Sequence, residues 1–225
     1  MKKVPKNLSI LQTIFVVSLV ISNVVAGKLL YTGLNLFGVE ITLPGAVFCY
    51  AITFLMTDII GEVWGKKEAS ETVLLGFIGQ ILSTILIILT RYLPTADNSL
   101  QDAYVTILGQ NWIFVIGSLV GYFASQSWDV FIFHKIRNKY LSKEGNTASG
   151  RWIWNNLSTM TSQIIDTVLF IGISFGLGFG WLFKKEMLPT LLAMIIGQYV
   201  FKFILAALDT PIFYLLTSKK HTDKQ

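Results

Sequence analysis

Six stretches of about twenty apolar residues, each long enough to cross a bilayer as an α-helix, take up most of this chain. They cover roughly residues 8–30, 41–62, 72–90, 112–133, 157–182 and 187–216. Apolar residues make up 53% of the 225 and charged residues only 14%, where a soluble domain carries about 25% charged. So little chain remains between the blocks that no soluble domain fits. The expected fold is all-α: a polytopic integral membrane protein, a single bundle of six transmembrane helices over residues 1–225.

The basic residues fall on alternate sides of that layout. One side takes Lys2, Lys3, Lys6, Lys66, Lys67, Lys135, Arg137, Lys139, Lys143, Arg151, Lys219, Lys220 and Lys224; the other takes Arg91, Lys184 and Lys185. Loops rich in Lys and Arg stay inside, so both termini are expected in the cytoplasm. Basic loops beside membrane helices are ordinary, and nucleic-acid binding is not expected of them. Val24-Val25-Ala26 resembles a signal-peptidase site, but the apolar run before it is long, and retention is expected. The single cysteine, Cys49, rules out an internal disulfide.

The loop from Arg91 to Asp102 is acidic and polar, and residues 142–150 read as a turn. Trp152 and Trp154 stand where the chain returns to the membrane, as interfacial anchors do.

Polar residues inside the apolar blocks carry the functional information, because a carboxylate in hydrocarbon costs several kcal/mol unless it faces a cavity, a partner or a ligand. Ser125-Gln126-Ser127-Trp128-Asp129 and Ser162-Gln163-Ile164-Ile165-Asp166 repeat Ser-Gln, two spacers and Asp on successive helices. Residues three and four apart share a helix face, so Ser, Gln and Asp of each copy are expected side by side. Counting from the cytoplasmic helix ends puts Asp129 and Asp166 a few ångströms apart in depth. Hydrogen bonds between helices would account for the glutamines. The paired carboxylates need a cation or a proton, which points to a pocket.

Lys202, in the middle of the sixth block, is the cation placed to neutralise one of them or to meet a solute. Asp209 shares its face, and Pro211 is a candidate kink. Asp58 and Glu62 stand one turn apart in the second block, with Asp58 the deeper and better site candidate; Asn23 is expected to face the bundle, and Lys28 to snorkel to the headgroups. His134 is expected to be solvated at the boundary. Glycine pairs at 117/121, 172/176 and 176/180 suit close helix packing, and the run Gly176–Gly180 alternatively suits local unwinding.

The ordered set of Asn23, Thr57-Asp58 ahead of Gly65, Gln126-x-x-Asp129, Asp166-Thr167 and Lys202 with a later Pro211 resembles the queuosine-precursor transporters, the VUT or YhhQ-like family, over essentially the whole chain. The resemblance implies an inner-membrane importer of 7-deazaguanines, the cyano and aminomethyl precursors of a tRNA nucleoside, and no enzyme. It implies substrate contacts from Asn23, Asp58, Gln126, Trp128, Asp129, Gln163, Asp166 and Lys202, with no cofactor and no metal. A carboxylate such as Asp129 or Asp166 matches the N1–H and 2-amino edge of such a ring. Gln126 suits its carbonyl or pyrrole N–H, Trp128 its face, at about 1–3 kcal/mol, and a second carboxylate the cationic aminomethyl group. The expected partners are the small-molecule substrate, the lipid bilayer and a second copy of the chain.

Two other classes compete. Intramembrane aspartyl proteases use two Asp on neighbouring helices, but Tyr-Asp and Gly-x-Gly-Asp are absent. A substrate-binding subunit of an ATP-driven vitamin importer would need ATPase partners, since no Walker motif is present.

Overall fold

The computed structural model describes residues 5–144 and 151–217, with side chains throughout except at 133, 134, 137–144, 151–156 and 206–217. His134, Trp152, Trp154, Asp209 and the side chain of Pro211 lie outside what is described, as does most of the turn at 142–150. The elements run α1 (Lys6–Val25), β1 (Leu29–Leu36), β2 (Val39–Pro44), α2 (Val47–Trp64), α3 (Lys66–Arg91), α4 (Asn98–Leu108), α5 (Asn111–Glu144), α6 (Arg151–Ile171) and α7 (Leu188–Thr217).

Among the described residues, six helices are long and apolar enough to cross a membrane. Their outward faces are apolar: Ile10, Ile14, Val17 and Ile21 on α1, and Leu74, Ile78, Ile81, Leu82 and Ile85 on α3, are all exposed. A water-soluble fold would not leave such stripes uncovered; lipid covers them at no cost. The chain is a multi-pass membrane protein.

The first two apolar blocks hold a β-hairpin that helix-length counting overlooks. α1 stops at Val25, five residues short of the expected 30, and α2 starts at Val47 rather than 41. Between them β1 pairs antiparallel with β2, Leu30 opposite Leu43 and Leu36 opposite Val39. Phe37 and Gly38 at the turn both have positive φ, 54° and 78°, the backbone of a tight two-residue hairpin turn. Gly45 closes the unit: its N–H donates to the Lys28 carbonyl at 2.7 Å, and a Cβ there would stand 2.7 Å from the Val25 carbonyl oxygen. Lys28 therefore lies exposed in the turn before β1 rather than on a helix. Buried Leu43 and half-buried Ile41 of β2 reach α7, where Gly197 leaves room for them.

Two other expectations change. The polar loop after the third block contains α4, capped by Asp97, whose carboxylate accepts from the Ser99 hydroxyl at 2.7 Å and the Ser99 amide at 2.8 Å and is thereby held below the ordinary carboxyl range. Tyr104 then ties α4 to the end of α3 by donating to the Ile87 carbonyl at 3.0 Å. The fifth block ends early: a π-helical turn at Gly172–Leu177 follows α6, and Gly180 has φ 69°. Gly180 serves this turn with its positive φ, while Gly178 still packs closely on Ile113 of α5. Close packing does hold for Gly117 and Gly121, which bring α5 against Ser174, Phe170 and Asp166 of the α6 arm.

Phe114, Phe170 and Phe175 are buried together, with Phe179 and Trp181 packed on them, ring centroids 5.4–6.5 Å apart. Phe170 is one turn beyond Asp166, so this aromatic cluster closes the bundle immediately beyond that carboxylate. A second apolar cluster, Phe15, Leu19, Met56 and Ile59, packs α1 on α2.

Candidate functional site

Lys202 gathers the polar residues of α6. Its ammonium donates to Asp166 Oδ2 at 2.6 Å, Thr167 Oγ1 at 3.1 Å and Gln163 Oε1 at 3.2 Å. Three acceptors satisfy all three N–H donors of a lysine. The Lys202 side chain is only 10% exposed and that of Asp166 26%, so the pair is largely withdrawn from water. A lone charge of either sign at that depth would be expensive; together they are tolerated. Gly121 makes the approach possible, since a Cβ there would lie 2.9 Å from Asp166 Oδ1.

Asp129 sits at a different level. α5 and α6 run antiparallel, with Gly121 against Asp166 and Asp129 near Ser162, whose hydroxyl is 3.5 Å from Asp129 Oδ1. Asp129 is eight residues along α5 from Gly121, about 12 Å of helix rise. Counted along α6, Ser162 is only four residues from Asp166, about 6 Å of rise, so the two carboxylates stand about one to two turns apart rather than a few ångströms. Counting from apolar block ends erred because α5 continues to Glu144 and α6 starts at Arg151, so neither block end marks a helix end. Among the described residues, Asp129 makes that one long contact with Ser162.

The structure brings together Gln163, Asp166 and Lys202, with Asp129 below them; it separates the rest. Gln126 is exposed, although it was expected beside Asp129. The inward stripe of α5 is Gly117, Gly121, Ser125 and Asp129, spaced by four, and Gln126 lies about 100° around the helix from Ser125. Trp128 is 39% exposed, and its indole N–H donates to Thr161 Oγ1 at 3.2 Å, so it pins α5 to α6 beside the site rather than over it. Asp58 is exposed on α2. Asn23 is fully buried on α1.

Tyr50 was missed by the sequence reading. Its hydroxyl lies among those of Ser22 and Ser118 and in the field of Asp166, and its ring meets Phe170 edge-on at 6.2 Å. It links α1, α2 and α5 to the charged pair. The available signal was a tyrosine inside an apolar block, where a hydroxyl seeks a partner.

The arrangement offers an open carboxylate, a neutralised carboxylate–ammonium pair and an amide, all facing the bundle interior. Such groups suit a polar solute, and the two carboxylates do not meet to share a proton, as an aspartyl protease requires.

Comparisons with known proteins agree with this character. Residues 44–216 match the family model described as a putative vitamin uptake transporter. A protein of Bacillus subtilis (strain 168) described as a probable queuosine precursor transporter is 30% identical over 183 residues, which cover 80% of this chain and 73% of that one. No solved structure matches significantly. A match over three quarters of the chain, on a bundle of six membrane-length helices with charged groups held inside, places the chain in the putative vitamin uptake transporter family.

Proposed function

We propose that this protein imports 7-deazaguanines across the cytoplasmic membrane, with both termini in the cytoplasm. The observation that carries the reading is Asp129, a half-buried carboxylate on an inward helix stripe with one hydroxyl at 3.5 Å as its partner. Such a group accepts two N–H donors at once, and the N1–H and 2-amino edge of a guanine-type ring supplies them in that geometry. The description of the Bacillus subtilis relative and the earlier resemblance favour this ring over a vitamin. Positive charge along the expected cytoplasmic loops supports the orientation.

The sequence left open which of the two carboxylates would meet the cationic aminomethyl group of one precursor. Asp166 already holds an ammonium, that of Lys202, at 2.6 Å. That pair is neutral, and a cationic substituent reaches Asp166 only by displacing Lys202. With Asp129 given to the N1–H and 2-amino edge, the neutral 7-cyano compound is the better match.

Uptake of labelled 7-cyano-7-deazaguanine into sealed vesicles holding only this purified chain is the test. Import without any ATPase subunit supports the proposal and excludes a subunit that borrows ATP hydrolysis. Asp129→Asn should lower uptake at least tenfold while the protein stays folded; unchanged uptake would remove Asp129 from the site.

A further inference from the structure

Three side-chain amides on three different helices are buried almost without partners. Asn23 of α1, Gln80 of α3 and Asn111 of α5 are 0%, 1% and 2% exposed. Of their six polar side-chain atoms, five have no hydrogen-bond partner among the described residues: both of Asn23, both of Gln80, and Nδ2 of Asn111. The sixth, Asn111 Oδ1, accepts from Thr84 Oγ1 at 3.0 Å, and the same hydroxyl lies 2.9 Å from the Gln80 carbonyl oxygen.

These residues converge. α1 and α3 run parallel in a regular register: Gln12 donates to Thr72 at 3.2 Å, Gly76 lies against Phe15 and Leu19, and Gly79 against Val16 and Val20. One turn further, Asn23 stands level with Gln80 to Ser83. Thr84 joins that level to Asn111 on α5. On the other side, Ser22 precedes Asn23 and shares the Tyr50 hydroxyl, which reaches toward Asp166. Asn111 is ten residues along α5 from Gly121, the neighbour of Asp166, about 15 Å of helix rise. The amides thus lie in the other half of the bundle from Lys202 and Asp166, with the cluster of Phe114, Phe170 and Phe175 between the two levels.

Native proteins pair more than nine in ten of their buried polar groups, and hydrocarbon makes the omission costlier. Amides serving as helix glue would bond one helix to another. Here five of six atoms do not. We propose that Asn23, Gln80 and Asn111 form a second, uncharged binding station for the transported solute, closed in this conformation and completed when the solute supplies the missing hydrogen bonds. A carboxamide offers one acceptor and two donors without charge. The station therefore takes neutral heterocycles that carry N–H beside C=O, and hands them on past Tyr50 to the Asp166 and Asp129 levels. This inference rests on the transport reading above.

Near-isosteric apolar replacements test it, because they remove unpaired polar atoms without opening a cavity. In Gln80→Met and Asn23→Leu, the thermal unfolding midpoint in detergent should hold or rise, while vesicle uptake of 7-cyano-7-deazaguanine falls at least tenfold. A midpoint lowered by several degrees makes the amides structural and overturns the inference. So does uptake within twofold of the unaltered chain. If Asp129→Asn abolishes uptake and these two variants do not, the station fails and the proposed function stands. If the unaltered chain takes up no 7-deazaguanine, the proposed function fails and the station fails with it.

Discussion

The two Ser-Gln-x-x-Asp segments are alike in sequence and unlike in setting. In α6 the glutamine and the aspartate both grip Lys202, and the serine faces α5. In α5 the aspartate points inward, the glutamine is exposed, and among the described residues neither pairs with a lysine. The reason is position in the bundle. α6 lies between α5 and α7 and meets polar side chains on both flanks, whereas the inward stripe of α5 is one residue wide. A repeated motif supplies chemistry; neighbouring helices decide which members use it.

The sharpest break of this contrast is Lys202→Met. Removing one member of a buried ion pair should cost about 3–5 kcal/mol, read as a lower thermal midpoint in detergent, and Asp166→Asn in the same chain should recover part of it. The corresponding change at the α5 copy, Asp129→Asn, should leave the midpoint nearly in place. Equal losses in the two would erase the distinction.

Gly121→Ala probes the close approach that seats Asp166. The added Cβ would meet Oδ1 at 2.9 Å and the main-chain oxygen at 3.2 Å, so a loss of about 1–3 kcal/mol is expected. Gly172→Ala, with nothing within 4 Å of its Cβ position, serves as the comparison and should cost far less in the same melt. Trp128→Phe deletes the indole donor to Thr161 and should remove about 0.5–1.5 kcal/mol; a larger fall in midpoint would mean the indole carries more than that bond. The glutamines give the finest contrast. Gln126→Met should change stability by less than about 0.5 kcal/mol, while Gln163→Met, which takes an acceptor from Lys202, should cost about 1.5–3 kcal/mol. Matching values would put both glutamines in the same environment.

Much of this was legible beforehand. Six helices of membrane length, Lys202 as the cation for a buried carboxylate and the packing glycines at 117 and 121 follow from block length, from the expense of charge in lipid and from spacing by four. The hairpin at 29–44 was not, because its strands are apolar enough to merge with the helical blocks on either side. The π-helical turn after Ile171 escaped for a related reason: hydropathy is blind to how backbone hydrogen bonds are numbered along an apolar run. Gln126 and Trp128 were placed in the site by helical spacing, which says which residues share a face but not where that face points.

Sequence by itself determined that this chain lives in a membrane, that it crosses with helices, and that acids and one lysine had to meet inside. Lipid offers no other way to hold them. Tertiary structure alone decided that Lys202 pairs with Asp166 rather than with Asp129, one to two turns away. Pairing depends on which helices touch and at what height, and those follow from glycine-sized contacts, a hairpin and an early helix end that act across the bundle rather than along the chain.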